Sequence, residues 1–235
     1  MFLSVIIPCF NESGNLALFA QKLFPALDAL GVSHEVVAVD DGSTDDTSTA
    51  LQTIAQERQG FKVIAHERNQ GLGAALRTGF SAASGEWIAT LDADLTFAPS
   101  QIAALLEAQR ATNADMVVGS PFLNIWGLRK ISRIRRWPSL LANFLYRMVC
   151  GCRLTSYTPI FRLYRASALR SIPLQSDGFE INAEIAALFL SSGKSVTEVS
   201  ALLSVRQRGY SKLSPLRELW RHARLLRRLL RQQNL

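Results

Sequence analysis

Four times in its first 120 residues the chain sets a short apolar run, a polar loop and a stretch of helical spacing in succession, and it then starts a fifth run. The runs are Phe2 to Pro8, Glu35 to Val39, Phe61 to Ala65, Trp87 to Leu91 and Asp115 to Gly119. Leu16, Phe19, Leu23, Leu27 and Leu30 recur at helical spacing after the first run. Leu51, Ile54 and Ala55 follow the second, a stretch through Phe80 the third, and Ile102, Leu105 and Leu106 the fourth. Strands alternating with helices predict an α/β fold, a mostly parallel sheet covered by helices on both faces.

In such a sheet, ligands gather outside the carboxyl ends of the strands. Four polar loops fall there: Asn11-Glu12, Asp40-Asp41, Gly71 to Gly73 and Asp92 to Asp94. The last sits in GEWIATLDADLTFAP, Gly85 to Pro99. On an extended segment, residues i and i+2 point the same way, so Asp92 and Asp94 could face one hard cation, with Ala93 turned away. Oxygen ligands suit Mg2+ or Mn2+. The alternative is an Asp-rich turn that only ends a strand. Gly71-Leu72-Gly73 lacks the third glycine of a dinucleotide fingerprint, because Leu76 stands there, so the glycines read as a tight turn with close backbone approach.

Charge is divided unevenly. Residues 1 to 120 hold 6 Lys/Arg against 14 Asp/Glu, and residues 121 to 235 hold 20 against 5, for a net charge of +7. An acidic half able to hold a metal precedes a basic half able to meet phosphate or an anionic surface. Cys9, Cys150 and Cys152 form no disulfide framework and no zinc spacing, which fits a reducing compartment. The N-terminus reads as a strand and not as a signal peptide, and no apolar run reaches the ~18 residues of a membrane span. Trp137 to Cys152 reads as a buried or interfacial helix. Ser214-Pro215 reads as the start of a helix to about Arg231, with Arg217, Arg221, Arg224, Arg228 and Arg231 in one stripe. Leu216, Leu219, Trp220, Ala223, Leu226 and Leu230 line the neighbouring face. Such a helix could lie on an anionic leaflet or pack on the domain with its arginines in water.

The segments SVIIPCFNESGNL, VVAVDDGSTDDT, NQGLGAALRTGF and GEWIATLDADLTFAP, in this order, resemble the inverting family 2 glycosyltransferases with a GT-A (Rossmann-like) fold. GSPF, SRIRRWPSLLANFLYR, TPIFRLYR and VRQRGYSKL are similar to the branch containing dolichol-phosphate mannose synthases and bacterial polyprenyl-phosphate glycosyltransferases. The likeness covers residues 1 to about 215. It implies a catalytic domain over 1–213, and the basic amphipathic helix read above then occupies 214–235.

By matching position, the resemblance places Pro8, Phe10, Glu12, Val39 and Asp41 on the base and ribose of a nucleotide sugar, with Gly71 and Ala93 beside them. It places Asp92 and Asp94, with Thr96, on the metal. Arg129, Arg206 and Lys212 match basic residues that meet donor diphosphate or acceptor phosphate. Two positions depart from the family pattern: Pro121 where many relatives have arginine, and Ser156-Tyr157-Thr158-Pro159-Ile160-Phe161-Arg162 where many have Asp-x-Thr-Ser-Gly-Phe-Arg. Both bear on acceptor and sugar and not on the fold.

The implied reaction moves a hexose, mannose first and glucose second, from GDP-mannose or a UDP-sugar to polyprenyl phosphate. It would run at the cytoplasmic face of a membrane, with room for a membrane-anchored partner subunit. A hydroxyl-acceptor enzyme of the same family is the alternative, and a non-enzymatic basic module binding nucleic acid or membrane is a remote one. Against nucleic acid, aromatic and basic residues are not interleaved as in RNA-binding motifs.

Overall fold

The computed structural model describes residues 2–123, 133–151, 154–204 and 215–233. Seven strands form one sheet in the order β3-β2-β1-β4-β6-β5-β7. They are β1 (Phe2–Cys9), β2 (Ser33–Asp40), β3 (Phe61–Ala65), β4 (Trp87–Thr90), β5 (Met116–Ser120), β6 (Arg162–Arg165) and β7 (Val196–Ser200). All neighbours run parallel except β6, which lies antiparallel between β4 and β5. The expected α/β architecture is therefore present, with one strand inserted.

The pleat sorts the apolar runs into two cores. Leu3, Val5, Ile7, Val36, Ala38, Ala89 and Val117 face one side, and Ile6, Val37, Val39, Ile88, Met116 and Val118 face the other. The first face is covered by α1 (Ser13–Leu18), a π-helical turn (Phe19–Leu23), α2 (Phe24–Asp28), α3 (Thr47–Glu57) and α5 (Ile102–Thr112). The second is covered by α4 (Leu72–Ala82), α6 (Arg133–Cys150), α7 (Ala166–Arg170), α8 (Ile181–Ser191) and α9 (Pro215–Gln233).

β6 brings a fully buried arginine into this second layer. Arg162 donates from Nη1 to the Asn182 carbonyl and from Nη2 to the Tyr157 carbonyl, both at 2.6 Å. It thus ties β6 to α8 and to the segment Tyr157 to Phe161.

The C-terminal helix is packed against the domain. Leu225 and Leu229 are buried and His222 Nδ1 lies 2.7 Å from Tyr146 Oη of α6. The packing stripe therefore runs through His222, Leu225 and Leu229, whereas Leu219, Trp220 and Leu230 are exposed. Arg228 is not in water: it reaches Glu184, which is buried, and donates to Gln175 Oε1 at 2.8 Å. One helix thus carries two apolar stripes, one spent on packing and one facing outward.

Glu35 shows what holds the first layer at its N-terminal edge. It is buried, and its Oε1 accepts from Ser4 Oγ at 2.6 Å and from Ser84 N at 2.7 Å, while Lys62 Nζ sits 2.6 Å from Oε2. Burial alone would raise its pKa, but Lys62, Ser4 and Ser84 outweigh it and hold the carboxyl at about 2. A carboxyl lowered on folding stabilises above its ordinary pKa of 4.5 and loses that contribution as pH falls towards 2. Glu35→Gln is expected to cost on the order of 2 kcal/mol at pH 7. In denaturant titrations the gap between variant and parent closes as pH falls through that window; a gap that persists at pH 2 contradicts the account.

Candidate active site

Along the carboxyl edge of β1, β2 and β4 lies a cavity of about 360 Å³, a size suited to a small ligand. Its lining combines Pro8 at the end of β1 with Phe10 and Glu12 after it, Asp41 after β2, Asn69 and Gly71 before α4, and Asp92, Ala93 and Asp94 after β4. The structure therefore brings together eight of the positions singled out from sequence. On the far side stand Phe179 and, from α9, Arg217, Glu218 and Arg221.

The loops are laced to one another. Asn11, at φ 52°, accepts Thr44 N on Oδ1 at 2.7 Å, while Asn11 N donates to Ser43 Oγ at 2.9 Å. Glu12 N donates to Thr47 Oγ1 at 2.8 Å, and Glu12 Oε2 accepts from Asn15 Nδ2 at 2.6 Å. Ser13 Oγ donates to Asp45 at 2.7 Å. Burial would raise the Asp45 carboxyl, but hydrogen bonds from Thr47 and Ser13 hold it below the ordinary range.

Asp41 organises the next loop. Its Oδ1 accepts from Gln70 N at 2.9 Å and its Oδ2 from Gly71 N at 2.8 Å and Asn69 Nδ2 at 2.9 Å. His66 Nδ1 lies 2.7 Å from Oδ1, and since the carboxylate accepts, this nitrogen carries the proton. His66 Nε2 then faces Thr78 Oγ1 at 2.9 Å. Asp41 so braces the turn that Gly71 and Gly73 make against Asp177.

Asp92 and Asp94 do converge on the cavity, but through a turn. β4 ends at Thr90, and Leu95 N donates to the Asp92 carbonyl at 3.0 Å with Leu95 at φ 51°. The extended geometry expected from their i, i+2 spacing is thus replaced by a tight turn, and both aspartates still line the cavity. Asp94 Oδ1 accepts Thr96 N at 3.0 Å. Thr96 meets Asp94 through its amide, and it is absent from the cavity lining.

One expected position lies elsewhere, and three fall outside the described residues. Val39 is fully buried, registered beside Pro8 on β1, and its side chain belongs to the second core, so it does not line the cavity. Strand alternation explains this, since Val37 and Val39 share one face of β2. Arg129, Arg206 and Lys212 lie outside the described residues.

The lining also holds residues not foreseen as site residues: Phe179, Arg217, Glu218 and Arg221 on the far side, Cys9 and Ala75, and Asn69 and Leu72 within the segment that carries Gly71. Glu218 Oε1 accepts from Arg221 Nη1 at 3.0 Å. Burial, opposed by Arg221 and reinforced by the like charge of Glu180, raises the Glu218 carboxyl above the ordinary carboxylate range.

Comparison with known proteins decides the family. Residues 4–172 match the family described as "Glycosyl transferase family 2". The chain belongs to this family. Among curated relatives of the chain is an undecaprenyl-phosphate 4-deoxy-4-formamido-L-arabinose transferase of Pseudomonas paraeruginosa, 34% identical over 226 residues, covering 91% of the chain and 61% of the relative. A protein of the same name from Edwardsiella ictaluri is 36% identical over 173 residues, covering 73% and 51%. The chain thus spans about three fifths of the length of the first of these. A solved structure of glucosyl-3-phosphoglycerate synthase from Mycobacterium tuberculosis, in complex with Mn2+, UDP and phosphoglyceric acid, superposes with a TM-score of 0.69 at 23% identity, covering 97% of the chain and 77% of that structure. The GT-A fold expected from the motifs is therefore present.

Proposed function

We propose that this glycosyltransferase moves a sugar, with inversion, from a nucleotide diphosphate sugar to a polyprenyl phosphate while docked on an anionic membrane surface. The observation that supports the reading is the convergence of Asp92 and Asp94 with the loops after β1 and β2 in a cavity closed by an arginine-bearing amphipathic helix. The names of the curated relatives supply the acceptor class.

The residues present fit a divalent ion, Mg2+ or Mn2+, such as the Mn2+ and UDP named for the mycobacterial structure. Among the described residues no cluster of three or more metal-ligating side chains occurs, and the two carboxylates suit an ion that completes its shell with water and diphosphate oxygens. When bound, the ion would neutralise charge on the departing nucleoside diphosphate. Asp92 and Asp94 would hold it, and the Thr96 amide keeps Asp94 in one orientation. Pro8 and Phe10 offer apolar surface to the base, and the loop braced by Asp41 presents backbone to the rest of the donor.

A phosphate acceptor is already ionised near neutral pH, so its attack on the anomeric carbon requires no strong base. A second reading, a hydroxyl acceptor, is favoured by Glu218, which lines the cavity with a raised carboxyl. A donor and acceptor matrix separates them: GDP-mannose, UDP-glucose and a nucleotide-linked 4-deoxy-4-formamido-L-arabinose, each with and without a short polyprenyl phosphate. Mannose and glucose are the first expectation. A lipid-linked, acid-labile product supports the phosphate acceptor; donor binding without such a product moves the reading to a hydroxyl.

No described helix is long and apolar enough to cross a membrane. Docking would use Leu141, Phe144, Leu145 and Met148 of α6 with Leu219, Trp220 and Leu230 of α9, all exposed. Arg224 stacks 3.8 Å above the Trp220 ring, and Arg227 and Arg231 are exposed on the same helix. Each arginine contributes about 1 kcal/mol at an anionic leaflet. Phe144→Ser with Trp220→Ser is expected to lower partition onto phosphatidylglycerol vesicles roughly tenfold and to leave nucleotide affinity unchanged. Partition equal to the parent's would rule out this face.

A further inference from the structure

We infer that α9 supplies a phosphate-binding wall of the cavity: Arg217 and Arg221 take the phosphate monoester of the acceptor, and Glu218 holds Arg221 in place until that phosphate arrives. The inference rests on the acceptor reading above and adds residues to it.

Arg217 and Arg221 are one helical turn apart, so they share a face, and both line the cavity. The other charged residues of the lining are Glu12, Asp41, Asp92, Asp94 and Glu218. A cavity with this acidic excess repels a phosphate monoester unless cations face it, and among the described lining residues those cations are these two arginines. Arginine suits the task because its planar fork matches two phosphate oxygens at once.

Arg221 is held for exchange and is not buried in a finished ion pair. Glu218 takes it through Oε1, while Glu218 Oε2 is buried with no hydrogen-bond partner among the described residues. Glu180 Oε2, also buried without a partner, crowds the same spot: a Cβ built on Gly178 would lie 2.5 Å from it and 2.8 Å from Arg221 Cδ. Two carboxylates thus gather at one guanidinium, and an incoming phosphate competes with Glu218 for it. Trp220, next to Arg221 on the same helix and exposed, offers apolar surface to the start of the isoprenyl tail.

The donor diphosphate has the same chemistry, so the test has two arms. The full chain is titrated calorimetrically with farnesyl phosphate, with farnesol as the uncharged control, and separately with UDP and GDP in Mn2+. Arg221→Gln is expected to weaken farnesyl phosphate roughly 10- to 100-fold and Arg217→Gln several-fold, with farnesol and nucleotide affinities within about twofold of the parent. Arg221→Lys should restore part of the loss, because lysine meets phosphate as a point charge. Glu218→Gln should tighten farnesyl phosphate several-fold by removing the competitor.

An unchanged farnesyl phosphate affinity in Arg221→Gln, or no farnesyl phosphate binding by the parent, overturns the inference. A fall confined to nucleotide affinity overturns it too, and assigns the pair to the donor. The acceptor reading fails separately, when the parent makes no lipid-linked sugar yet still binds farnesyl phosphate through Arg221.

Discussion

Asp94→Asn is expected to lower sugar transfer roughly a thousand-fold with Mg2+ or Mn2+ present and to leave the melting temperature within a degree or two of the parent. The substitution keeps an oxygen that can accept Thr96 N, now at 3.0 Å, so the turn after β4 retains its hydrogen bond. It removes the charge, which is what a cation opposite a diphosphate requires. Asp92→Asn should behave alike, because both carboxylates line the same cavity. A readout independent of turnover is Mn2+ binding by paramagnetic resonance in the presence of UDP, expected to weaken at least tenfold in either variant. Near-normal turnover in Asp94→Asn would refute the metal assignment, whatever the acceptor proves to be.

Gly73→Ala is expected to destabilise the fold by about 3 kcal/mol and to weaken nucleotide binding at the same time. A Cβ there would overlap the Ser176 carbonyl oxygen and lie 2.8 Å from the carbonyl carbons of Ser176 and Asp177, all backbone atoms that cannot rotate aside. The Gly73 amide also donates to the Asp177 carbonyl at 2.7 Å, so any shift breaks a bond as well. Gly71 adds a conformational cost, since it sits at φ +100° with the Asp177 carbonyl directly above it. This contact sets the wall of the cavity. Arg77 reaches Ser176 and Asp177, and the next residues are Gly178, which Arg221 packs against, and Phe179, which lines the cavity. Pushing the start of α4 away from Asp177 therefore displaces both sides of the site. A denaturation midpoint unchanged in Gly73→Ala would mean that this backbone contact is not what positions the wall.

Much of this arrangement was legible in local pattern. Apolar runs of strand length between helical periodicities dictate a sheet buried on both faces, and that topology places every polar loop after a strand on one edge. Glu12, Asp41, Asp92 and Asp94 meet for this reason, although they stand far apart in the chain. What local pattern could not supply was anything that depends on register and docking. β6 follows no βα repeat, so its antiparallel seat between β4 and β5 is visible only once both neighbours are in place. Val39 matched a binding motif, yet the pleat turns its side chain into the core.

The C-terminal helix marks the boundary most clearly. Its arginines and leucines are periodic, and periodicity alone predicts an amphipathic helix. It does not say which of two apolar stripes is buried, because Leu219, Trp220 and Leu230 are as hydrophobic as Leu225 and Leu229. That choice was made by the complementary surface of α6, where Tyr146 meets His222. Rotation of the helix by this packing then turned Arg217 and Arg221 into the cavity and left the other stripe outward. Sequence by itself determined the fold class and the acidic edge, because these follow from backbone periods of two and 3.6 residues. Only the tertiary structure decided which cations face that edge, because charge placement depends on how one finished element packs on another.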